Sequence, residues 1–263
     1  MDCPNLTTIV FSDDIKSIGA YSFSGCFNIK DVNISDLSVW CGIKFDSNPL
    51  SYAQNLCVDG KPIYDVVIPD GVTCINKYAF ASYKNLKSIK FSDTVSRIDS
   101  LVFYKCINLK TIEIPNSVTS IDIDAFDGCT SLKSINFPSL TSVGSYGLRY
   151  AFQGCTALES IILPSKTATI GTTLFQGCTS LSNLKLNNCI EIGSSAFSGC
   201  TGVTQIDLSK CSSIPECAFF NCTKLASVNI PDKVSCIGSN AFSHCSSLKS
   251  VVFPESLTDL GEE

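Results

Sequence analysis

One fourteen-residue stretch, Ala125-Phe126-Asp127-Gly128-Cys129-Thr130-Ser131-Leu132-Lys133-Ser134-Ile135-Asn136-Phe137-Pro138, recurs with small changes along almost the whole chain. Aligning the sequence with itself on Leu132 brings Leu6, Ile29, Ile63, Leu86, Leu109, Leu158, Leu181, Val203, Leu225 and Leu248 into one column, at spacings of 23, 34, 23, 23, 23, 26, 23, 22, 22 and 23 residues. A period of this size means a solenoid: one unit cannot bury its apolar face alone, but stacked units share a continuous core. Length then counts coils rather than domains, so residues 1–263 read as a single solenoid with a longer variant coil at 35–62.

Within a unit, Ile135 and Phe137 alternate with Ser134 and Asn136, the pattern of a short half-buried strand. Proline follows at Pro69, Pro115, Pro138, Pro164, Pro231 and Pro254. It lacks the N–H that pairing needs, so it ends the strand. A second apolar pair comes next, often followed by glycine as in Ile192-Gly193 and Ile237-Gly238, where the chain is expected to turn a corner. The Ala-Phe element then places Phe23, Phe80, Phe103, Phe126, Phe152, Phe175, Phe197, Phe219 and Phe242 in one column, an expected aromatic spine. The segment around each ring is short and predicts a single helical or 3₁₀ turn on the convex side.

Sixteen cysteines would suit a disulfide scaffold or a metal protein, and their spacing opposes both. Cys3, Cys26, Cys106, Cys129, Cys155, Cys178, Cys200, Cys222 and Cys245 all fall three residues before the leading apolar position, with Gly60 and Tyr83 filling the column elsewhere. A thiol recurring once per coil forms a buried ladder that can hydrogen-bond turn backbone. Cys189 and Cys211 take a second apolar column, held by Val72, Val95, Val118 and Val234 in other coils. No Cys-x-x-Cys occurs and His244 is the only histidine, so no metal site is assigned.

Catalytic motifs are equally missing: the chain holds no Gly-x-Ser-x-Gly elbow, no phosphate-cradling loop with lysine and no His-Glu-x-x-His. His244 beside Cys245 does not make a nucleophile pair, because the register buries Cys245 and adjacent side chains diverge. Asp122, Asp124 and Asp127 read as a solvated corner. No catalytic, metal or cofactor-binding residue is therefore expected. A net charge of −5 disfavours a general nucleic-acid surface, which depends on concentrated Lys and Arg. No run of 18 apolar residues could insert in a membrane. The first residues have neither the basic nor the apolar part of a signal peptide, and neither end carries a polar capping repeat, which predicts a fragment of a longer protein.

The period breaks in two places, and such departures are where loops and recognition features concentrate. Ser145 to Tyr150 add a small bulge before Ala151. The larger break, Ser38 to Cys57, holds the only tryptophan, Trp40, and predicts a helix starting near Pro49 with Leu50, Ala53 and Leu56 on one face.

The order Ala-Phe-x-x-Cys-x-x-Leu-x-x-Ile-x-Ile-Pro, intact from Ala241-Phe242 to Pro254 as well as from Ala125 to Pro138, resembles the BspA-like leucine-rich repeat. The coil with Trp40-Cys41 to Asn48-Pro49-Leu50 followed by Val66 to Val72 is similar to a variant in that family. Departures are few: Ser22, Val102 and Leu174 replace the alanine, and Tyr83 interrupts the cysteines. The resemblance implies an α/β leucine-rich repeat solenoid, right-handed, of about eleven coils with a parallel β-sheet on its concave face. It also implies a non-enzymatic cell-surface or secreted adhesin that binds host matrix or plasma proteins or other cell-surface proteins. An intracellular scaffold is the alternative, since cytosol keeps thiols reduced.

Recognition is expected on the outward strand positions. One column, from Thr8 to Ser250, is uniformly small and polar. The next varies in charge and size, and contributes Lys90, Glu113, Asn136, Ile162, Lys185 and Asp207 as candidate partner-binding residues, joined by Trp40 from the longer coil and Tyr64 just after it. Eleven strands at about 4.8 Å would form a sheet roughly 50 Å long, enough for a protein partner.

Overall fold

The computed structural model describes residues 2–137, 149–163, 169–186 and 189–262. The chain winds as a parallel β-solenoid of about ten turns. Three-residue strands stack in register one coil apart: Asp65–Val67, Ser88–Lys90 and Thr111–Glu113; Ser134–Asn136, Ser160–Ile162 and Asn183–Lys185; Gln205–Asp207 and Ser227–Asn229. Burial follows the alternation, with Ile135 inside between exposed Ser134 and Asn136. Residues 250–252 form no strand, so the last expected member of the row is missing.

The corner is more than a turn. Cys74–Ile75, Arg97–Ile98 and Ser120–Ile121 pair in parallel, as do Thr169–Ile170 with Glu191–Ile192 and Cys236–Ile237 with Asp259–Leu260, giving a second ladder. The glycine after this strand serves close approach. A Cβ on Gly238 would stand 2.3 Å from the Glu216 nitrogen of the preceding coil.

The third side corrects the expected helical turns. Asp124 (φ 58°) and Gly128 (φ 72°) flank Phe126, and every Phe-centred turn repeats this pair of left-handed residues. Two positive φ values within five residues interrupt any helix, leaving two successive tight turns closed by Asp127 N to Asp124 O (3.2 Å) and Cys129 N to Phe126 O (3.1 Å). Even Leu101 and Thr173 adopt the strained conformation, held there because neighbouring coils bond through these turns. The Phe126 N–H donates to Ala151 O at 2.9 Å, and from Phe80 to Phe219 each ring's N–H reaches the next coil in the same way.

Between the three ladders lies one apolar core. The rings of Phe80, Phe103, Phe126, Phe152, Phe175, Phe197, Phe219 and Phe242 stack nearly parallel, with centroids 5.2 to 5.8 Å apart. Each such pair contributes about 0.5–1.5 kcal/mol beyond the area it buries. Beside the spine, seven thiols from Cys106 to Cys245 each donate to the Phe carbonyl one coil back, Sγ to O 3.0–3.2 Å.

The long coil departs from expectation. Its helix is Leu37–Gly42, capped by the Asp36 carboxylate, which accepts from Ser38 N at 2.7 Å. No helix starts at Pro49: Leu56 lies on the strand Asn55–Val58, which pairs with Asp31–Ile34. Sheet pairing outweighs the helical spacing, and Leu50, Ala53 and Leu56 are still buried. The strand turns through Asp59 (φ 50°) and Gly60 (φ 73°) into Lys61–Pro62, a two-residue hairpin of the I′ kind. The proposed bulge at Ser145–Tyr150 lies outside the described residues apart from Arg149 and Tyr150.

Trp40 repairs the spine where this coil lacks an Ala-Phe element. Its ring packs 4.9 Å from Phe45 and 5.9 Å from Phe11, and its Nε1–H donates to Ala79 O at 2.8 Å, replacing the missing phenylalanine N–H. Tyr83 does the same in the cysteine column: its hydroxyl reaches back to Ile63 O at 2.6 Å. Burial pushes that hydroxyl up to about 12.

Two outcomes follow from this packing. Trp40→Phe keeps a ring but strips Ala79 O of its donor, and should lower stability by about 1–3 kcal/mol, read from the urea midpoint, whereas an unchanged midpoint would deny the donor role. Burial also raises the thiols of Cys106, Cys129, Cys155, Cys178, Cys200 and Cys222 above the ordinary range, Cys222 to about 12. The unfolded chain then loses thiol protons first, near pH 8.5, while the folded thiols keep theirs. Stability should fall above that pH by about 1.4 kcal/mol per pH unit for each such thiol, visible as a dropping melting temperature.

Candidate functional site

Strand pairing fixes which side chains share the outward face. Register sets Lys90 beside Val67 and Glu113, Asn136 beside Ile162, Ile162 beside Lys185, and Asp207 beside Asn229. Lys90, Glu113, Asn136 and Asp207 are exposed. The side chains of Ile162 and Lys185 lie outside the described residues, although both strands that carry them are in place. The column is therefore a row of unlike residues, apolar, basic, acidic and amide, one per coil.

Lys90 and Glu113 sit opposite each other without an ion pair, since among the described residues the salt bridges are those of Arg97 with Asp99 and Asp122. Their charges stay available to another molecule. Asp207 is held ready differently: its carboxylate accepts from Ser209 N at 2.9 Å, and that bond lowers its pKa. Between Asn183–Lys185 and Gln205–Asp207 the strand pairing is interrupted, and Leu184, Gln205, Asp207, Ser227 and Asn229 line a shallow cleft there.

The candidates Tyr64 and Trp40 separate. Tyr64 stands 38% exposed just before the strand Asp65–Val67, with the Lys87 ammonium 5.2 Å from its ring centre. Trp40 does not belong to the surface. It is 0% exposed, because the coil uses it as spine and as donor to Ala79.

The groups that might have carried chemistry are engaged in structure. Cys245 donates to Phe219 O, while the His244 ring turns away to meet Phe220 edge-on at 5.2 Å. Asp122 pairs with Arg97 at 2.5 Å. Asp127, half buried and near Asp124, is raised to about 6, first by burial and then by that neighbour. Among the described residues no three His, Cys, Asp or Glu side chains are placed to hold a metal ion, and no helix is long and apolar enough to cross a membrane.

Sequence reasoning passed over the position three residues before Lys90. The N–H of Lys87 donates to Tyr64 O (2.8 Å), that of Lys110 to Lys87 O (2.9 Å) and that of Lys133 to Lys110 O (3.5 Å), so one aromatic and three exposed lysines stand in a line. Reading the register one column earlier would have found them.

Solved structures of three bacterial proteins share this architecture. A leucine-rich repeat protein from Bacteroides ovatus is 25% identical, with a TM-score of 0.56 over 100% of this chain and 79% of its own. A leucine rich cell surface protein from Faecalibacterium prausnitzii is 22% identical, with a TM-score of 0.54 over 98% of this chain and 79% of its own. A leucine-rich repeat protein from Eubacterium ventriosum is 18% identical, with a TM-score of 0.53 over 96% of this chain and 86% of its own. No curated protein matches. The model of the BspA type leucine rich repeat region matches residues 1–43, 53–150 and 148–263, in six copies. Such a solenoid is generally a protein-interaction scaffold. The phenylalanine spine, the stacked strands and this match agree: the chain belongs to the BspA-type leucine-rich repeat family.

Proposed function

We propose that this chain is a non-enzymatic recognition module of a cell surface, an adhesin that binds a protein through the variable outward column. The observation that carries the reading is the contrast between columns. The inward positions hold the same residue types coil after coil, whereas Lys90, Glu113, Asn136 and Asp207 differ in charge and size while remaining exposed. Packing cannot demand that variety. The surface location draws on the printed description of the Faecalibacterium prausnitzii protein; the partners proposed are host matrix or plasma proteins and other cell-surface proteins.

A second reading, an intracellular scaffold, is favoured by one observation: all sixteen cysteines are free thiols, the state a reducing cytosol maintains. Protease treatment of intact cells separates the two readings, since only a surface protein is cleaved.

For the surface itself, a partner found by screening matrix, plasma and bacterial surface proteins should bind Lys90→Ala/Glu113→Ala/Asp207→Ala roughly tenfold or more weakly, with an unchanged melting temperature. Full affinity in that variant would move the interface off the column.

A further inference from the structure

We infer that the strand face carries a second recognition element, a lysine column that binds a linear anionic polysaccharide bearing one carboxylate per sugar ring. Lys87, Lys110 and Lys133 occupy the same position of three consecutive coils, linked through their backbones at 2.9 and 3.5 Å, and all three are exposed. None forms an ion pair among the described residues. Lys87 meets the Tyr64 ring, but like charges stacked at the coil spacing repel one another, so a run of three lysines costs the fold electrostatically. Two carboxylates on these strands are otherwise placed: Asp65 accepts from Ser88 Oγ at 2.5 Å, and Glu113 lies in the outward column opposite Lys90. The next residue in line, Glu159, whose N–H donates to Lys133 O at 2.9 Å, ends the basic run at three.

The surroundings fit a sugar. Tyr64, Asn85, Lys87, Asn108 and Lys110 line one shallow hollow. The Tyr64 ring, 38% exposed and carrying the Lys87 ammonium 5.2 Å from its centre, forms an aromatic wall of the hollow against which a pyranose can pack. Asn85 and Asn108 are fixed by donating to Gln54 O (2.9 Å) and Lys84 O (2.8 Å), and each keeps its amide oxygen to accept from a hydroxyl.

The lining chooses between acidic ligands: an aromatic ring and two amides suit the apolar edge and hydroxyls of a sugar, groups that a run of acidic side chains does not offer. The chain's net charge of −5 is an average that hides this local reversal of sign.

The test titrates polygalacturonate into the wild-type chain and into Lys87→Gln/Lys110→Gln/Lys133→Gln, at low and physiological salt, with dextran and polyglutamate as comparators. Polygalacturonate should bind the wild type, weaken with salt, and lose roughly tenfold or more in the triple variant, with dextran silent and polyglutamate weaker. Glu159→Lys, which lengthens the column, should bind several-fold tighter and needs no stability argument. Absence of binding at low salt, full binding by the triple variant, no gain in Glu159→Lys, or polyglutamate binding as tightly would each overturn the assignment. The last result would point to an acidic protein. Loss in the triple variant with protein binding retained separates this element from the outward column.

Discussion

The carbonyl of each spine phenylalanine is the point on which the stack depends. Phe126 O accepts the N–H of Cys129 in its own turn and the thiol of Cys155 from the next coil, while the Phe126 N–H reaches forward to Ala151 O. One residue thus closes its own turn, joins two coils and places a ring on the aromatic stack. Cysteine suits the partner position because it is small, apolar enough to bury and still able to donate. Serine would donate as well, but at a greater desolvation cost.

Where the repeat fails, the same valences are met by other atoms. Trp40 supplies an N–H from its side chain because the backbone has none to offer Ala79. Tyr83 replaces a thiol with a longer hydroxyl that spans the enlarged coil to Ile63 O. These substitutions explain why the longer coil contains an aromatic residue and yet exposes none of it at Trp40. The exposed columns are left to residues that the ladders do not need.

Much of this was legible in the residues themselves. The spacing of Leu132 and its equivalents gave the coils, and the alternation around Ile135 gave strand faces and their register. The helical turns misled because short Phe-centred segments carry no periodicity, and the left-handed residues flanking Phe126 include only one glycine. The helix placed at Pro49 followed a spacing of three that the strand Asn55–Val58 also satisfies, while Asp59-Gly60, a strong hairpin signal, went unread. The lysine line was hidden by its position outside the alternating strand, visible only once backbone bonds stacked Lys87, Lys110 and Lys133.

Thiols that hydrogen-bond from coil to coil inside a continuous core are shut away from reagents, so alkylation counts them. Twelve of the sixteen are buried, leaving Cys3, Cys74, Cys217 and Cys236 partly exposed. In the folded chain only those four should react readily, and all sixteen should react after denaturation without reductant. Rapid native labelling of Cys129, Cys155 or Cys178, or thiols still blocked after denaturation, would contradict the account.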